Sequence, residues 1–335
     1  MKKKIGVSIS GLGVGKKHSE FISKNKSVVL ESVFDVDKLK QKKIQKKFGT
    51  KTSSSFVNMI SNKNSKLVVI ASPDHLHCKQ IIQTFKNNKH IFVEKPICNN
   101  LLELNKIIKE WKRNNKKLKL QSNLILRSSP LFIWLKKKIH SGYFGDIFSV
   151  DAEYLYGRLE KFIHGWRGNS KDYSPMNGGG VHMIDLVCWL INELPAEVIS
   201  TVSNLATKKF NLKSKDYMNA TFTFKSGMIL RVVANLACVY KHQHILKIYG
   251  TKKTFVYDDL GARVYNSRSR KKFKKINLKS LPSNKTNILE EFIKKIKNNK
   301  DTKKLTEFDL KVMNAICYCN ISLKNSKKQK IKYII

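Results

Sequence analysis

Ile5-Gly6-Val7-Ser8-Ile9-Ser10-Gly11-Leu12-Gly13-Val14-Gly15-Lys16 runs from a short β-branched stretch through a glycine cluster into a Lys-rich helical segment. Strand, tight turn and helix start, in that order, make the first half of a βαβ unit. Gly11 permits the turn and Gly13 lets an anion approach the backbone. The first N–H groups of the helix, with its dipole, would then receive a dinucleotide's pyrophosphate. The usual fingerprint has its third glycine where Lys16 stands, and Gly15 arrives one residue early. Glycines alone would equally suit an ordinary strand-to-helix turn, so the surrounding sequence has to decide.

Working outward, the same alternation continues. Strands are expected at Ile5–Ser10, Val28–Phe34, Leu67–Ala71, His90–Val93 and Leu118–Leu124. Helices are expected at Lys16–Asn25, Lys38–Phe48, Phe56–Ser61, His75–Asn87 and Leu101–Asn114. Strands this continuously apolar are covered on both faces, which predicts a doubly wound parallel sheet over residues 1–125. After Arg127 the texture changes. A helix at Leu131–His140 and a strand at Ile147–Leu155 precede a glycine-rich turn, Gly178-Gly179-Gly180, and a helix at Val181–Ile191. Strands follow at Val198–Asn204, Asn219–Lys225, Met228–Leu236, His244–Tyr249 and Lys253–Tyr257, and helices at Asn287–Lys297 and Glu307–Leu323. Residues 126–335 therefore read as an α+β domain with a mostly antiparallel open sheet, and Lys271–Lys275 as a solvated loop.

Asp35 closes the second strand, 24 residues after Gly11. A carboxylate there accepts hydrogen bonds from the adenosine ribose hydroxyls and repels a 2′-phosphate, so NAD is favoured over NADP; Asp37 is better placed to cap the next helix. Ser72-Pro73, His77 and Glu94-Lys95-Pro96 follow the third and fourth strands, at the carboxyl ends where open α/β sheets hold ligands. Lys95, between an apolar strand and a proline, is held where it can polarise a hydroxyl and exchange its proton.

Together Gly11-x-Gly13, Ser72-Pro73-x-x-x-His77, Glu94-Lys95-Pro96 and Gly178-Gly179-Gly180-Val181-His182-x-x-Asp185 closely resemble the glucose-fructose oxidoreductase and inositol dehydrogenase family, Gfo/Idh/MocA. Arg127, Gly142-x-x-Gly145 and Trp166-Arg167 add to the likeness, which spans nearly the whole chain. The resemblance implies an N-terminal Rossmann domain and hydride transfer between nicotinamide and a sugar, nucleotide sugar or polyol. It also implies a homo-oligomer, dimer or tetramer, built through the C-terminal sheet. It makes Lys95, His182 and Asp185 the catalytic candidates, with Asp185 able to fix the His182 tautomer. Gly11, Gly13, Gly15, Asp35, Ser72, Pro73, His77, Glu94, Lys95, Trp166 and Arg167 become the cofactor-binding candidates. One departure stands out: Gly178 occupies the position, four before the histidine, where many members have an aspartate, which leaves a Lys95/His182 pair to be assisted by Tyr156, His164 or a substrate carboxylate. That leaves open a cofactor-binding regulator without turnover, and an NAD-dependent glycosidase on the same scaffold.

The 335 residues carry 66 Lys and Arg against 24 Asp and Glu, a formal charge of +42. Lysine accounts for 58 and arginine for only 8, spread along the chain, with no helix-turn-helix, zinc or RNP-like pattern. No specific nucleic-acid partner is expected. Six cysteines without C-x-x-C pairing read as thiols of a reducing compartment, and no metal site is expected. Met1-Lys2-Lys3-Lys4 begins like a secretory signal but lacks a Leu-rich core and a cleavage site, and no apolar run reaches membrane-spanning length. A cytoplasmic location is the expectation.

Overall fold

A computed structural model describes residues 4–170, 173–269 and 272–335. Met1-Lys2-Lys3, Lys171-Asp172 and Arg270-Lys271, the last of these in the basic run read as a loop, lie outside the described residues. The chain divides into two compact units, one holding residues up to Leu124 with Asn284–Leu310 and Ile335, the other Ile125–Ser283 with Lys311–Ile334.

In the first unit the elements are β1 (Ile5–Ser10), α1 (Gly15–Lys24), β2 (Val28–Phe34), α2 (Lys38–Phe48), β3 (Lys51–Thr52) and α3 (Phe56–Ile60). They continue with β4 (Ser65–Ile70), α4 (His77–Lys86), β5 (His90–Val93), α5 (Leu101–Arg113) and β6 (Leu120–Ser122). All strand pairs are parallel and the order is β3-β2-β1-β4-β5-β6, the Rossmann arrangement. Leu67–Ile70 of β4 and Ile91–Val93 of β5 are fully buried, which explains their unbroken apolar sequence. Local chemistry sets the helix ends: the Asp37 carboxylate accepts from the N–H groups of Leu39 and Lys40 at the start of α2, and Gly49 closes it in the left-handed region at φ 65°.

The second unit contains α6 (Pro130–His140), β7 (Ile147–Leu155), α7 (Leu159–Ile163), α8 (Val181–Ile191), β8 (Glu197–Ser203), β9 (Tyr217–Thr223) and β10 (Ile229–Asn235). β11 (Gln243–Gly250), β12 (Thr254–Asp258), β13 (Gly261–Tyr265) and β14 (Phe273–Ile276) follow. The chain ends with α9 (Asn287–Lys297), α10 (Lys303–Asn325) and β15 (Gln329–Lys330). The sheet order is β14-β13-β12-β11-β7-β10-β9-β8-β15, antiparallel except for β7 with β10. Inward residues such as Val150, Ala152, Ala220, Phe222, Leu230 and Val232 are buried, and their alternates are more exposed.

Two expectations need correction. The basic run read as a loop supplies β14 instead: Phe273 pairs with Tyr265 at the sheet edge, where exposed lysines are compatible with a strand and discourage further pairing. Gly178-Gly179-Gly180 is not a turn either, for Met176–Gly180 forms a wide helical turn running directly into α8. Helix α9 counts with the first unit because Ile288, Leu289, Phe292 and Ile293 join Val7, Ile9, Val33, Leu67 and Phe92 in one core. The start of α10 borders β6 there, with Asp309 Oδ2 accepting from Ser122 N–H at 2.9 Å and Thr306 Oγ1 donating to Leu120 O at 2.8 Å.

Candidate active site

Within the first unit, Gly11 has φ +84°, and a Cβ there would strike the Ala71–Ser72 backbone, so only glycine lets β1 exit this close to β4. Gly13 is exposed and a Cβ there would meet nothing within 4 Å, which leaves the approach open. Gly15 fits tightly, its Cβ position 3.0 Å from Ile9 Cγ2, and begins α1. No side chain caps that helix start and no acidic residue occupies its first turn, so its N–H groups suit an anion. Asp35 lies beside this turn, accepting from Leu12 N–H at 2.6 Å through Oδ2 and from Asp37 N–H at 2.9 Å through Oδ1. Each oxygen keeps acceptor capacity for a ribose hydroxyl. These features fit a dinucleotide.

Farther along the same edge, Ser72 Oγ donates to Gln80 Oε1 at 2.7 Å, and Gln80 in turn donates to Ser10 Oγ at 3.2 Å. Pro73 is exposed. His77 is fully buried, its Nδ1 2.7 Å from Pro96 O and its Nε2 2.9 Å from Ser72 O, so it ties the exits of β4 and β5 together. Glu94 accepts from His18 Nε2 at 2.9 Å and Asn123 Nδ2 at 2.8 Å through the same oxygen. Burial alone would raise its carboxyl pKa, but His18, Asn123 and the neighbouring Lys95 charge outweigh that and hold it below the usual value. Lys95 follows on this pinned backbone, half-buried, at a cis bond to Pro96. His18 and Asn123 escaped the sequence reading because the His18–Glu94 contact joins residues 76 apart.

In the second unit His182 opens α8 and its ring stacks on Tyr154 at 6.1 Å between centroids. Glycine makes this possible, since a Cβ at Gly179 would fall on the Tyr154 ring and one at Gly178 on the Tyr173 hydroxyl. His244 lies opposite Tyr154 in the β11–β7 ladder, 5.8 Å from His182, and His242 is 5.4 Å from His244. Tyr156 completes the cluster, 6.1 Å from Tyr154 and 5.7 Å from His242. Burial pushes the Tyr154 hydroxyl far above its usual pKa, Tyr156 adds to this, and Arg167 and Arg158 oppose it. His244 of β11 and His242 just before it were missed, although His242-x-His244 and Tyr154-x-Tyr156 both carry the period-two spacing of one face of an extended chain. His164 stands apart, paired with Glu160 at 3.2 Å on an exposed surface.

Asp185 is buried and holds Arg127 in a two-pronged ion pair, Nε to both oxygens at 3.1 and 3.0 Å and Nη2 to Oδ1. This fastens α8 to the segment following Leu124. The Arg167 guanidinium lies 4.8 Å over the Trp166 ring, which meets Tyr173 edge-on at 5.8 Å. Among the described residues no group of three or more His, Cys, Asp or Glu side chains is placed to hold a metal ion, and no helix is long and apolar enough to cross a membrane. All six cysteines are thiols.

Residues 5–122 match the family model described as an oxidoreductase family with an NAD-binding Rossmann fold, and residues 132–256 match the Gfo/Idh/MocA C-terminal domain. The chain belongs to the Gfo/Idh/MocA oxidoreductase family. Its NAD-binding domain is the first sheet, and among its relatives are dehydrogenases of CH–OH groups. Glucose-6-phosphate 3-dehydrogenase of Bacillus subtilis (strain 168) is 27% identical over 286 residues, covering 78% of this chain and 76% of that protein. Inositol 2-dehydrogenase of Rubrobacter xylanophilus is 24% identical over 261 residues, 75% and 71% of the two. The structure of scyllo-inositol dehydrogenase from Lactobacillus casei with bound NAD(H) and scyllo-inositol superposes with a TM-score of 0.80 at 19% identity, over 98% and 99% of the chains.

This Gfo/Idh/MocA protein has no space for a side chain at position 178, because Tyr173 fills it. Gly178→Asp is expected to destabilise the fold by about 1–3 kcal/mol, the common cost of forcing atoms into a packed interior. Urea unfolding checks this, and a midpoint equal to that of the wild type would mean that the tyrosine yields without cost.

Proposed function

We propose that the protein is an NAD-dependent dehydrogenase moving a hydride between nicotinamide and a hydroxyl-bearing carbon of a sugar, nucleotide sugar or polyol. The observation that carries this reading is Lys95, set at the carboxyl end of β5 on a backbone fixed by Glu94, His18 and Asn123, in the same sheet as the open glycine turn and Asp35. Gly11, Gly13, Gly15 and Asp35 hold the dinucleotide, with Ser72 and Pro73 bordering it. His77 and Glu94 act by fixing the loops around it. Trp166 and Arg167 are assigned to the same ligand by family resemblance. When bound, the nicotinamide supplies the hydride acceptor. By family resemblance Lys95 is assigned to hydrogen-bond the reacting hydroxyl and help move its proton, and His182 is assigned the acid/base role. Asp185 acts through Arg127 to position the His182 helix.

The alternate face of the second sheet, with Ile199 and Ile229 exposed at 45% and 49%, supports pairing with a second copy of the chain. Sedimentation is expected to give a dimer or tetramer.

NADH titrations followed by fluorescence test the cofactor assignment. Asp35→Ala is expected to weaken NADH about 10-fold or more, the usual scale for losing hydrogen bonds to a charged group, with a relative gain for NADPH. Wild-type binding of neither dinucleotide would remove the cofactor from the reading.

A further inference from the structure

In a chain that writes lysine as its default cation, arginine marks places where a planar two-pronged donor is needed. Arg113 pairs with Glu110, Arg127 with Asp185, Arg231 with Asp151 and Arg263 with Asp258. Among the described residues Arg167 and Arg268 have no such pair, and neither has Arg158. It follows β7, is exposed, and has no carboxylate partner among the described residues. Its guanidinium lies 5.7 Å from the centre of the Tyr156 ring. A ring contact of this kind takes up none of the guanidinium N–H donors, which stay available to an oxyanion.

The position adds meaning. Tyr156 neighbours Tyr154 and His242, and Tyr154 stacks on His182, so Arg158 borders the cluster and two aromatic rings separate it from the proposed acid/base. Arg158 and Arg167 both act electrostatically on the Tyr154 hydroxyl. With Arg167 given to the cofactor by family resemblance, Arg158 is the arginine beside this cluster that stays available for another anion. The +42 surface supplies diffuse attraction for such a ligand, raising its encounter rate without selecting it.

We propose that Arg158 receives an oxyanion carried by the substrate, so that the sugar oxidised by this enzyme is anionic, a sugar phosphate or a sugar acid. This rests on the dehydrogenase reading above. Phosphate and carboxylate share the two-point acceptor geometry that a guanidinium recognises.

The test uses matched sets of neutral sugar, sugar phosphate and sugar acid, such as glucose, glucose 6-phosphate and glucuronate, with the galactose and mannose counterparts. NAD-linked kcat/KM and calorimetric binding to the NADH-loaded protein are both measured. At least one phosphate or acid is expected to exceed its neutral parent by about 10- to 100-fold, the range of a hydrogen-bonded charge pair. Whichever anion wins distinguishes the two sources. Arg158→Ala should collapse that preference through KM, and Arg158→Lys should restore part of it. Added salt should lower kcat/KM for the anion more steeply than for the neutral sugar. Equal use of neutral and anionic members, or a preference that survives Arg158→Ala, overturns the inference and leaves the dehydrogenase reading intact. Arg158-dependent binding of an anion without any turnover does the reverse. Binding of no anionic member overturns the inference outright.

Discussion

Lys95→Ala is expected to lower turnover by about 10⁴-fold, the upper end of what one general acid–base group contributes. The side chain leaves a backbone that cannot drift. Ile91, Phe92 and Val93 before it are fully buried, Glu94 is anchored by His18 and Asn123, and Pro96 O is bonded by the buried His77. A group positioned this firmly can polarise a hydroxyl in the transition state with little reorganisation. His182→Ala should cost less, about 10²-fold, the lower end of the same range, because water or a neighbouring ring of its cluster can take over part of its role. NADH affinity should change little in either variant, since the glycine turn and Asp35 remain. Steady-state rates on any accepted substrate decide the matter, and a Lys95→Ala enzyme keeping more than about a tenth of wild-type turnover, far short of a usual acid–base loss, removes Lys95 from the mechanism.

The second large effect is on stability. Asp185→Asn keeps the volume but takes the negative charge away from a buried guanidinium, and breaking such a pair from one side costs about 3–5 kcal/mol. The carboxylate is 1% exposed and the arginine side chain 7%, so water cannot replace what is lost. Removing both charges is a different experiment. Arg127→Met with Asp185→Leu should recover most of the stability, because an apolar pair needs no compensating charge. Urea midpoints of the three variants and the wild type separate these cases. If Asp185 matters only as the anchor of α8, the double variant regains turnover together with stability; if turnover stays low while stability returns, the carboxylate has a direct role toward His182.

Much of this was legible because it is local. The run from Ile5 to Lys16, the Asp35 and Asp37 pair and the apolar β4 and β5 each carry their meaning within a dozen residues. What stayed hidden depends on which distant segments meet. His244 becomes a neighbour of Tyr154 only because β11 pairs with β7, a choice that sheet order makes and residue composition does not. Helix α9 shows its apolar stripe in sequence but not which sheet the stripe covers. Phe273–Ile276 looks like a loop because an exposed edge strand has no apolar alternation to display. The three glycines were visible, yet their reason was not: they are small because Tyr173, Tyr154 and Met176 press on them, not because the chain turns there.

The most direct measurement follows the hydrogen itself. Carbon-bound deuterium is introduced throughout the sugars, sugar phosphates and sugar acids of the matched sets, and the nicotinamide is recovered and weighed by mass spectrometry after incubation with the enzyme and NAD. The account predicts one deuterium per reduced nicotinamide with at least one substrate, and labelled nicotinamide accumulating about 10⁴-fold more slowly when Lys95→Ala replaces the wild type. Reduced nicotinamide without the label, or no reduced nicotinamide from any sugar in the presence of demonstrated NAD binding, would contradict it.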